Sequence, residues 1–103
     1  MPIITSDQQA QQIRDKADRA RHRIWIASPF VGSWSNVKRI LGVSWTRKRL
    51  DIRLMTDVEN FAYLNRETLE VFGYHGELRS LRGLHAKLYI IDGELLLTSA
   101  NLT

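Results

Sequence analysis

The stretch HAKLYIIDGELLLTSANLT, residues 85–103, decides the fold of the C-terminal part of this chain. Two short apolar runs flank an Asp-Gly pair, and they lie too close together for a crossover connection. The pattern therefore predicts an antiparallel hairpin, with strands at residues 85–91 and 95–99. Because side chains alternate between the two faces of a strand, His85 and Lys87 are predicted to share one face.

The loop of this hairpin has two possible lengths. A two-residue turn at residues 92–93 places Thr98 opposite Lys87, and Asp-Gly is a strong signal for such a turn. A three-residue loop at residues 92–94 places Ser99 opposite Lys87 instead, because a shift of one residue exchanges the faces. We expect the three-residue loop, or a bulge with the same effect. It gathers four polar residues in one site, namely His85, Lys87, Ser99 and Asn101.

Upstream of the hairpin, strand-like runs alternate with helix-like segments. The predicted strands are residues 23–30, 51–56 and 77–81. The predicted helices begin at a Ser6–Gln9 capping box, at Ser35 and at Asn65, and the last two end at Gly42 and Gly76. This alternation predicts a single α/β domain over residues 1–103, with a mixed, mainly parallel sheet flanked by helices and the hairpin at its C-terminal end.

The aromatic residues are mostly interpreted as core. The run at residues 23–30 reads as a strand buried on both faces, with Trp25 and Phe30 inside. Trp34 and Trp45 have two interpretations, because they flank a basic stretch. They would stack nucleobases between cations, or they would anchor the core beside a solvated basic rim, which we favour. The basic residues concerned are Lys38, Arg39, Arg47, Lys48 and Arg49.

Composition restricts the classes of function. The chain of 103 residues has no cysteine, which excludes disulfides and thiolate metal sites. It has no apolar run of transmembrane length, and its N-terminus lacks the pattern of a signal peptide, so we expect a cytoplasmic protein with no membrane partner. The formal net charge of +4 favours a polyanionic partner such as nucleic acid.

The C-terminal polar residues resemble the signature of the phospholipase D superfamily, the HKD phosphodiesterases. The family pattern is His-x-Lys, four residues, Asp, six residues, then Gly-Ser-x-Asn. "HAKLYIID" matches its first part and "TSANLT" matches Ser-x-Asn. There are two departures: Thr98 replaces the glycine, and the spacing from Asp92 to Ser99 is one residue shorter. "WIASPFVG", residues 25–32, also resembles the first strand of the endonuclease-like members.

The resemblance implies a mechanism and a set of roles. His85 would attack a phosphodiester and form a phosphohistidine, while a second histidine would protonate the leaving oxygen and later activate water. Lys87 and Asn101 would hold the phosphoryl oxygens, with Ser99 supporting them. Asp92 belongs to the catalytic motif but would be mainly structural. No metal or other cofactor is implied, because lysine supplies the positive charge.

The resemblance also implies a homodimer, because the chain carries one motif. Single-motif members pair two chains across a two-fold axis so that both histidines meet. His22 and His75 lack a comparable context and are poor substitutes for the second histidine. Arg79 and Arg82, which lie shortly before His85, are candidate substrate-lining residues. Family members continue past the asparagine, so we expect the domain to be incomplete at its C-terminal end.

These features are compatible with three functions. The favoured one is a metal-independent nuclease that hydrolyses DNA or RNA. The alternative is a non-catalytic or truncated nucleic-acid-binding or assembly module, in which Ser99 is a plain strand residue and Asn101 a helix cap. A phospholipid-cleaving enzyme is the least favoured, because no apolar or amphipathic membrane-docking stretch stands out.

Overall fold

The computed structural model describes residues 6–98 and residue 102. Within them lie three α-helices, two short 3-10 segments and five strands. The helices are α1 (Ser6–Arg19), α2 (Trp34–Leu41) and α3 (Arg66–His75), and the 3-10 segments are Ser44–Arg47 and Val58–Tyr63. The strands are β1 (Arg23–Ala27), β2 (Asp51–Thr56), β3 (Glu77–Ser80), β4 (Leu88–Ile91) and β5 (Glu94–Leu97).

The strands form one mixed sheet in the order β3-β2-β1-β4-β5. Strands β1, β2 and β3 are parallel, with helices in their connections. Strand β4 runs antiparallel to both β1 and β5. The predicted α/β class, with a mixed sheet and helices, is therefore confirmed. Its parallel and antiparallel pairings are equal in number, so "mainly parallel" holds for the strand directions and not for the pairings.

Local signals set the helix boundaries. Asn65 caps α3, and its side chain accepts a hydrogen bond from the Thr68 backbone N–H. Helix α2 is capped by Ser33, whose hydroxyl accepts from the Asn36 N–H, and not by Ser35 as predicted. Gly42 ends α2 as predicted, with φ +70°. Within the described residues, no helix combines the length and the apolar composition needed to cross a membrane.

All three helices pack on the same face of the sheet. Their apolar residues join alternate side chains of β1, β2 and β4 in one core. The strand residues of this core are Ile24, Ile26, Ile52, Leu54, Tyr89 and Ile91. The other face carries mostly half-buried or exposed side chains, with Ala27 the buried exception on β1, and no helix among the described residues covers it. The prediction that β1 is buried on both faces is therefore wrong, because the helices share one side.

Trp25 and Phe30 are the aromatic residues that this one-sided packing displaces from the predicted core. Trp25 is half-buried on the uncovered face, with the guanidinium of Arg53 4.5 Å from its ring centroid and that of Arg23 5.2 Å away. Phe30 is half-buried in the loop after β1. Trp45, in contrast, lies in the core and stacks on Phe72. The core interpretation is thus confirmed for Trp45 and wrong for Trp25 and Phe30.

The hairpin has the two-residue loop, so the predicted three-residue loop is wrong. Ile91 pairs with Glu94, and Leu88 pairs with Leu97. The backbone N–H of Thr98 then donates to the carbonyl of Lys87 at 3.1 Å. Asp92 adopts φ +53°, a left-handed conformation that aspartate tolerates. Turn chemistry decided the register, and the expected gathering of polar side chains did not.

Candidate active site

His85, Lys87 and Arg82 lie in a loop at one edge of the sheet, which we call the carboxyl edge. It comprises the C-terminal ends of β1, β2 and β3 and the N-terminal end of β4, because Leu88 pairs with Ala27 at the end of β1. Three loops meet there, at residues 28–33, 57–65 and 81–87. In open α/β sheets, ligands bind in the crevice outside the carboxyl ends of the strands.

His85 and Lys87 lie at this edge but precede β4, so they are outside the predicted strand. Strand β4 begins at Leu88 because its neighbour β1 ends at Ala27. The His85 side chain is exposed and that of Lys87 is half-buried. An exposed imidazole two residues from a lysine suits attack on an anionic phosphodiester, since the substrate reaches it without a buried path.

The chain that follows the Ser-x-Asn part of the motif lies at the same edge. Leu102, which follows Asn101, is fully buried and bridges Val31 in parallel orientation. Its backbone N–H donates to the hydroxyl of Ser28 at 2.9 Å, and its carbonyl accepts from the Gly32 N–H at 2.7 Å. Ser99 and Asn101 themselves lie outside the described residues. The chain before residue 99 and the chain after residue 101 are therefore both held at the carboxyl edge.

Asp57 positions the loop that carries His85, and sequence reasoning missed it. Its carboxylate is buried and accepts hydrogen bonds from the Glu59 N–H at 3.0 Å and the Gly83 N–H at 2.9 Å. The contact with Gly83 holds the loop two residues before His85. An aspartate directly after a strand is a capping signal, and this signal was available in the sequence.

Asp92 lies at the opposite edge of the sheet from His85, with β4 between them. The length of β4 alone separates the two by at least about 10 Å at the usual rise of a strand. The Asp92 carboxylate instead accepts from the backbone N–H groups of Arg21 at 3.1 Å, His22 at 2.8 Å and Arg23 at 3.2 Å. It therefore ties the hairpin to the start of β1, which is the structural part of the role that the resemblance implies.

The pKa of the Asp92 carboxyl reflects this clamp. Burial by itself would raise the pKa, but the hydrogen bonds from the backbone of His22, Arg23 and Arg21 outweigh it. The net pKa lies below its usual value of 3.8. The carboxylate form is thus the one that the fold stabilises.

The two candidate substrate-lining arginines are separated. Arg82 lies in the loop before His85, and its exposed side chain is 3.6 Å from the Glu59 carboxylate. Arg79 lies on β3, pairs with Glu77 at 3.0 Å and faces the uncovered side of the sheet. Arg82 therefore remains a candidate substrate-lining residue, whereas Arg79 faces the uncovered side of the sheet.

A cavity of about 530 Å³ lies on the uncovered face. Alternate residues of the segment before and within β4 line it, namely Leu84, Ala86, Leu88 and Ile90, together with Trp25 and Met55. His85 and Lys87 are not among its lining residues. We therefore locate the candidate chemistry at the carboxyl edge and not in this apolar cavity.

Lys48, His22 and His75 lie at the edge of the sheet opposite His85. Lys48 donates to the carbonyls of Asp18 at 2.7 Å and Ala20 at 3.1 Å and so caps the end of α1. His22 precedes β1 and His75 ends α3, so both lie at the edge opposite His85, in agreement with the sequence analysis. Among the described residues, no three His, Cys, Asp or Glu side chains group closely enough to hold a metal ion.

Comparison with known proteins adds no assignment. No family model matches the chain, and no curated protein matches it. The resemblance to the phospholipase D superfamily therefore rests on the residues of the motif.

Proposed function

We propose that this chain is a metal-independent phosphodiesterase of the phospholipase D type that hydrolyses nucleic acid. The observation that carries the proposal is the setting of His85. Its imidazole is exposed at the carboxyl edge, close in sequence to Lys87, and the chain following Asn101 returns to that edge. The net charge of +4 supports a polyanionic substrate over a neutral one.

The proposed reaction has two displacements. A nitrogen of His85 attacks phosphorus, the bond from phosphorus to the leaving oxygen breaks, and that oxygen takes a proton from a second histidine. Water then attacks the phosphohistidine, gives its proton to the second histidine, and releases His85. Lys87 stabilises the negative charge on the phosphoryl oxygens in both steps.

A second chain would supply the second histidine. Neither His22 nor His75 lies at the carboxyl edge, so the partner's His85 is the candidate. A two-fold axis near this edge would bring the two imidazoles together, since such an axis places the same surface of both chains face to face. Activity is then expected to rise with dimer concentration.

The test is cleavage of labelled single- and double-stranded DNA and RNA in excess EDTA. His85→Ala should lower the rate by at least about 100-fold, because it removes the nucleophile. His22→Ala is the matched control, since His22 is an exposed histidine at the opposite edge, and it should leave the rate unchanged. Loss of wild-type activity in EDTA, or full activity of His85→Ala, would contradict the proposal.

One observation favours the second candidate, a non-catalytic nucleic-acid-binding module. The two-residue loop puts Thr98 opposite Lys87, whereas the catalytic arrangement that we expected put Ser99 there. Under this alternative the protein binds nucleic acid in a salt-dependent manner and cleaves none of the four substrates. The EDTA experiment, combined with a binding measurement on the same oligonucleotides, separates the two functions.

A further inference from the structure

The loop after β2 exposes large apolar side chains at the carboxyl edge. In the 3-10 segment Val58–Tyr63, Phe61 is 79% exposed and Tyr63 is 65% exposed. Neither ring belongs to the apolar core. Exposed aromatic residues that cluster on one surface are typical of a binding site, whereas single ones are common anywhere.

The backbone beneath these rings is held at several points. Asp57 caps the segment through the Glu59 N–H, and the side-chain amide of Asn60 donates to the Pro29 carbonyl at 3.2 Å. The carbonyl of Tyr63 accepts from the Val31 N–H at 3.0 Å. The rings are therefore displayed from a fixed backbone, which lowers the entropy lost when a ligand stacks on them.

Tyr63 also has an aromatic neighbour. Its ring centroid lies 5.0 Å from that of Phe30, and the planes are inclined at 55°. This distance is within the range of favourable aromatic pairs. Phe30 is half-buried, so it supports Tyr63 from the side of the protein.

The aromatic loop, residues 57–65, contacts the loop that carries His85 and lies one segment away from Leu102. The Asp57 carboxylate binds the Gly83 N–H, and Arg82 lies 3.6 Å from Glu59, so the loop that carries His85 is its direct neighbour. On the other side, Val31 bridges both Leu64 and Leu102. Two adjacent extended segments lie about 4.8 Å apart, so Leu64 and Leu102 are about 10 Å apart across Val31.

We propose that Phe61 and Tyr63 form a stacking platform for unpaired nucleobases, which makes single-stranded nucleic acid the preferred substrate class of the His85 site. The inference rests on the proposed function. Aromatic rings beside cations bind single strands by stacking on the bases while the cations contact phosphates. The cation beside the rings is Arg82, whose side chain is 85% exposed and lies 3.6 Å from the exposed Glu59 carboxylate, a pair that contributes little. Lys87 follows in the same 81–87 loop. Bases within a duplex are already stacked and are not available to the platform.

The test measures binding, so it does not depend on cleavage. Fluorescence anisotropy of a labelled oligonucleotide, single-stranded or annealed, is recorded with Phe61→Ala, Tyr63→Ala and the double variant. Each single substitution should weaken single-strand binding by about 5- to 100-fold, the range expected for one stacked base. Duplex binding should change by less than about twofold. Phe61→Trp keeps an aromatic ring at this position, so it should bind single strands more tightly than Phe61→Ala does.

Tyr74→Ala is the matched control. Tyr74 is 85% exposed but lies near the end of α3, at the opposite edge of the sheet, so its removal should leave binding unchanged. Equal losses on single strands and duplexes, no loss on either, or a change of oligomeric state in the Phe61 and Tyr63 variants would overturn the platform. The last result would identify these rings as a contact between protein chains.

The same data separate this inference from the proposed function. If the variants lose single-strand affinity while no form of the protein cleaves, the platform stands and the nuclease is contradicted. If EDTA-resistant, His85-dependent cleavage is found but the variants keep their single-strand affinity, the nuclease stands and the platform is overturned. A protein that binds no oligonucleotide contradicts both.

Discussion

The Asp92 clamp offers the most direct test of how this fold is held together. Asp92→Asn keeps the size of the side chain and tolerates the observed φ of +53°, but it removes the negative charge and one of the two acceptor oxygens. The backbone N–H groups of Arg21, His22 and Arg23 then donate to a weaker acceptor. The substitution should therefore loosen the attachment of the β4–β5 hairpin to β1.

The expected magnitude follows from the number of donors and their exposure. A hydrogen bond to a charged group contributes about 1.5–3 kcal/mol. The three bonds share one carboxylate, and their donor residues are exposed, so water replaces part of what is lost. We expect the free energy of unfolding to fall by about 1–2 kcal/mol for Asp92→Asn. Asp92→Ala should cost about 1 kcal/mol more, because alanine is unfavourable at positive φ.

The pH dependence has a definite sign. The pKa of Asp92 is lower in the folded chain than its ordinary value of 3.8. A carboxyl with a lowered folded pKa contributes stability above its unfolded pKa and loses it as the pH falls through the folded value. The difference in unfolding free energy between wild type and Asp92→Asn should therefore be constant near neutral pH and shrink below about pH 4.

Urea unfolding followed by tryptophan fluorescence measures these differences at pH 7 and pH 3. Glu94→Gln is the control, because Glu94 lies on the same hairpin and forms an exposed ion pair with Lys16. Such pairs contribute at most about 1 kcal/mol. An Asp92→Asn protein as stable as wild type at pH 7, or a difference that grows as the pH falls, would refute the clamp.

Three further substitutions test the packing around α3. Gly76→Ala should destabilise by about 3 kcal/mol in urea unfolding, because a Cβ there would overlap the Ile52 carbonyl oxygen. Gly73→Ala meets only ordinary contacts and should stabilise by about 0.5–1 kcal/mol. Equal effects of the two substitutions would contradict the close approach at Gly76. Thr68→Val should cost about 1–2 kcal/mol in the same assay, because the fully buried Thr68 hydroxyl donates to the Gly32 carbonyl at 2.7 Å, and an unchanged midpoint would show that this bond contributes nothing.

The elements that were predictable are those whose signals are local. Asn65 and Gly76 mark the two ends of α3 through a side-chain cap and a close approach that excludes a Cβ. The Asp92–Gly93 turn follows the same rule, because the conformation of a two-residue loop depends on the two residues themselves. A three-residue loop would require the convergence of polar side chains to outweigh this local signal, and in the structure it does not.

What was not predictable depends on which elements share a face. The run at residues 23–30 has the composition of a strand buried on both sides, and only the packing of all three helices on one side leaves Trp25 uncovered. Two arginines then cover the Trp25 ring in place of a helix. A single apolar strand does not encode on which side its neighbours place their helices.

The candidate site likewise combines local sequence signals with contacts between segments that are distant in sequence. The candidate residues could be selected from the motif, but their setting is determined by residues outside it. Asp57 holds the loop before His85, and Leu102 holds the chain after Asn101 against Val31. Both contacts join segments that are distant in sequence, so no pattern within one segment predicts them. The setting of His85 is therefore a property of the whole carboxyl edge, and the aromatic loop beside it belongs to the same set of contacts.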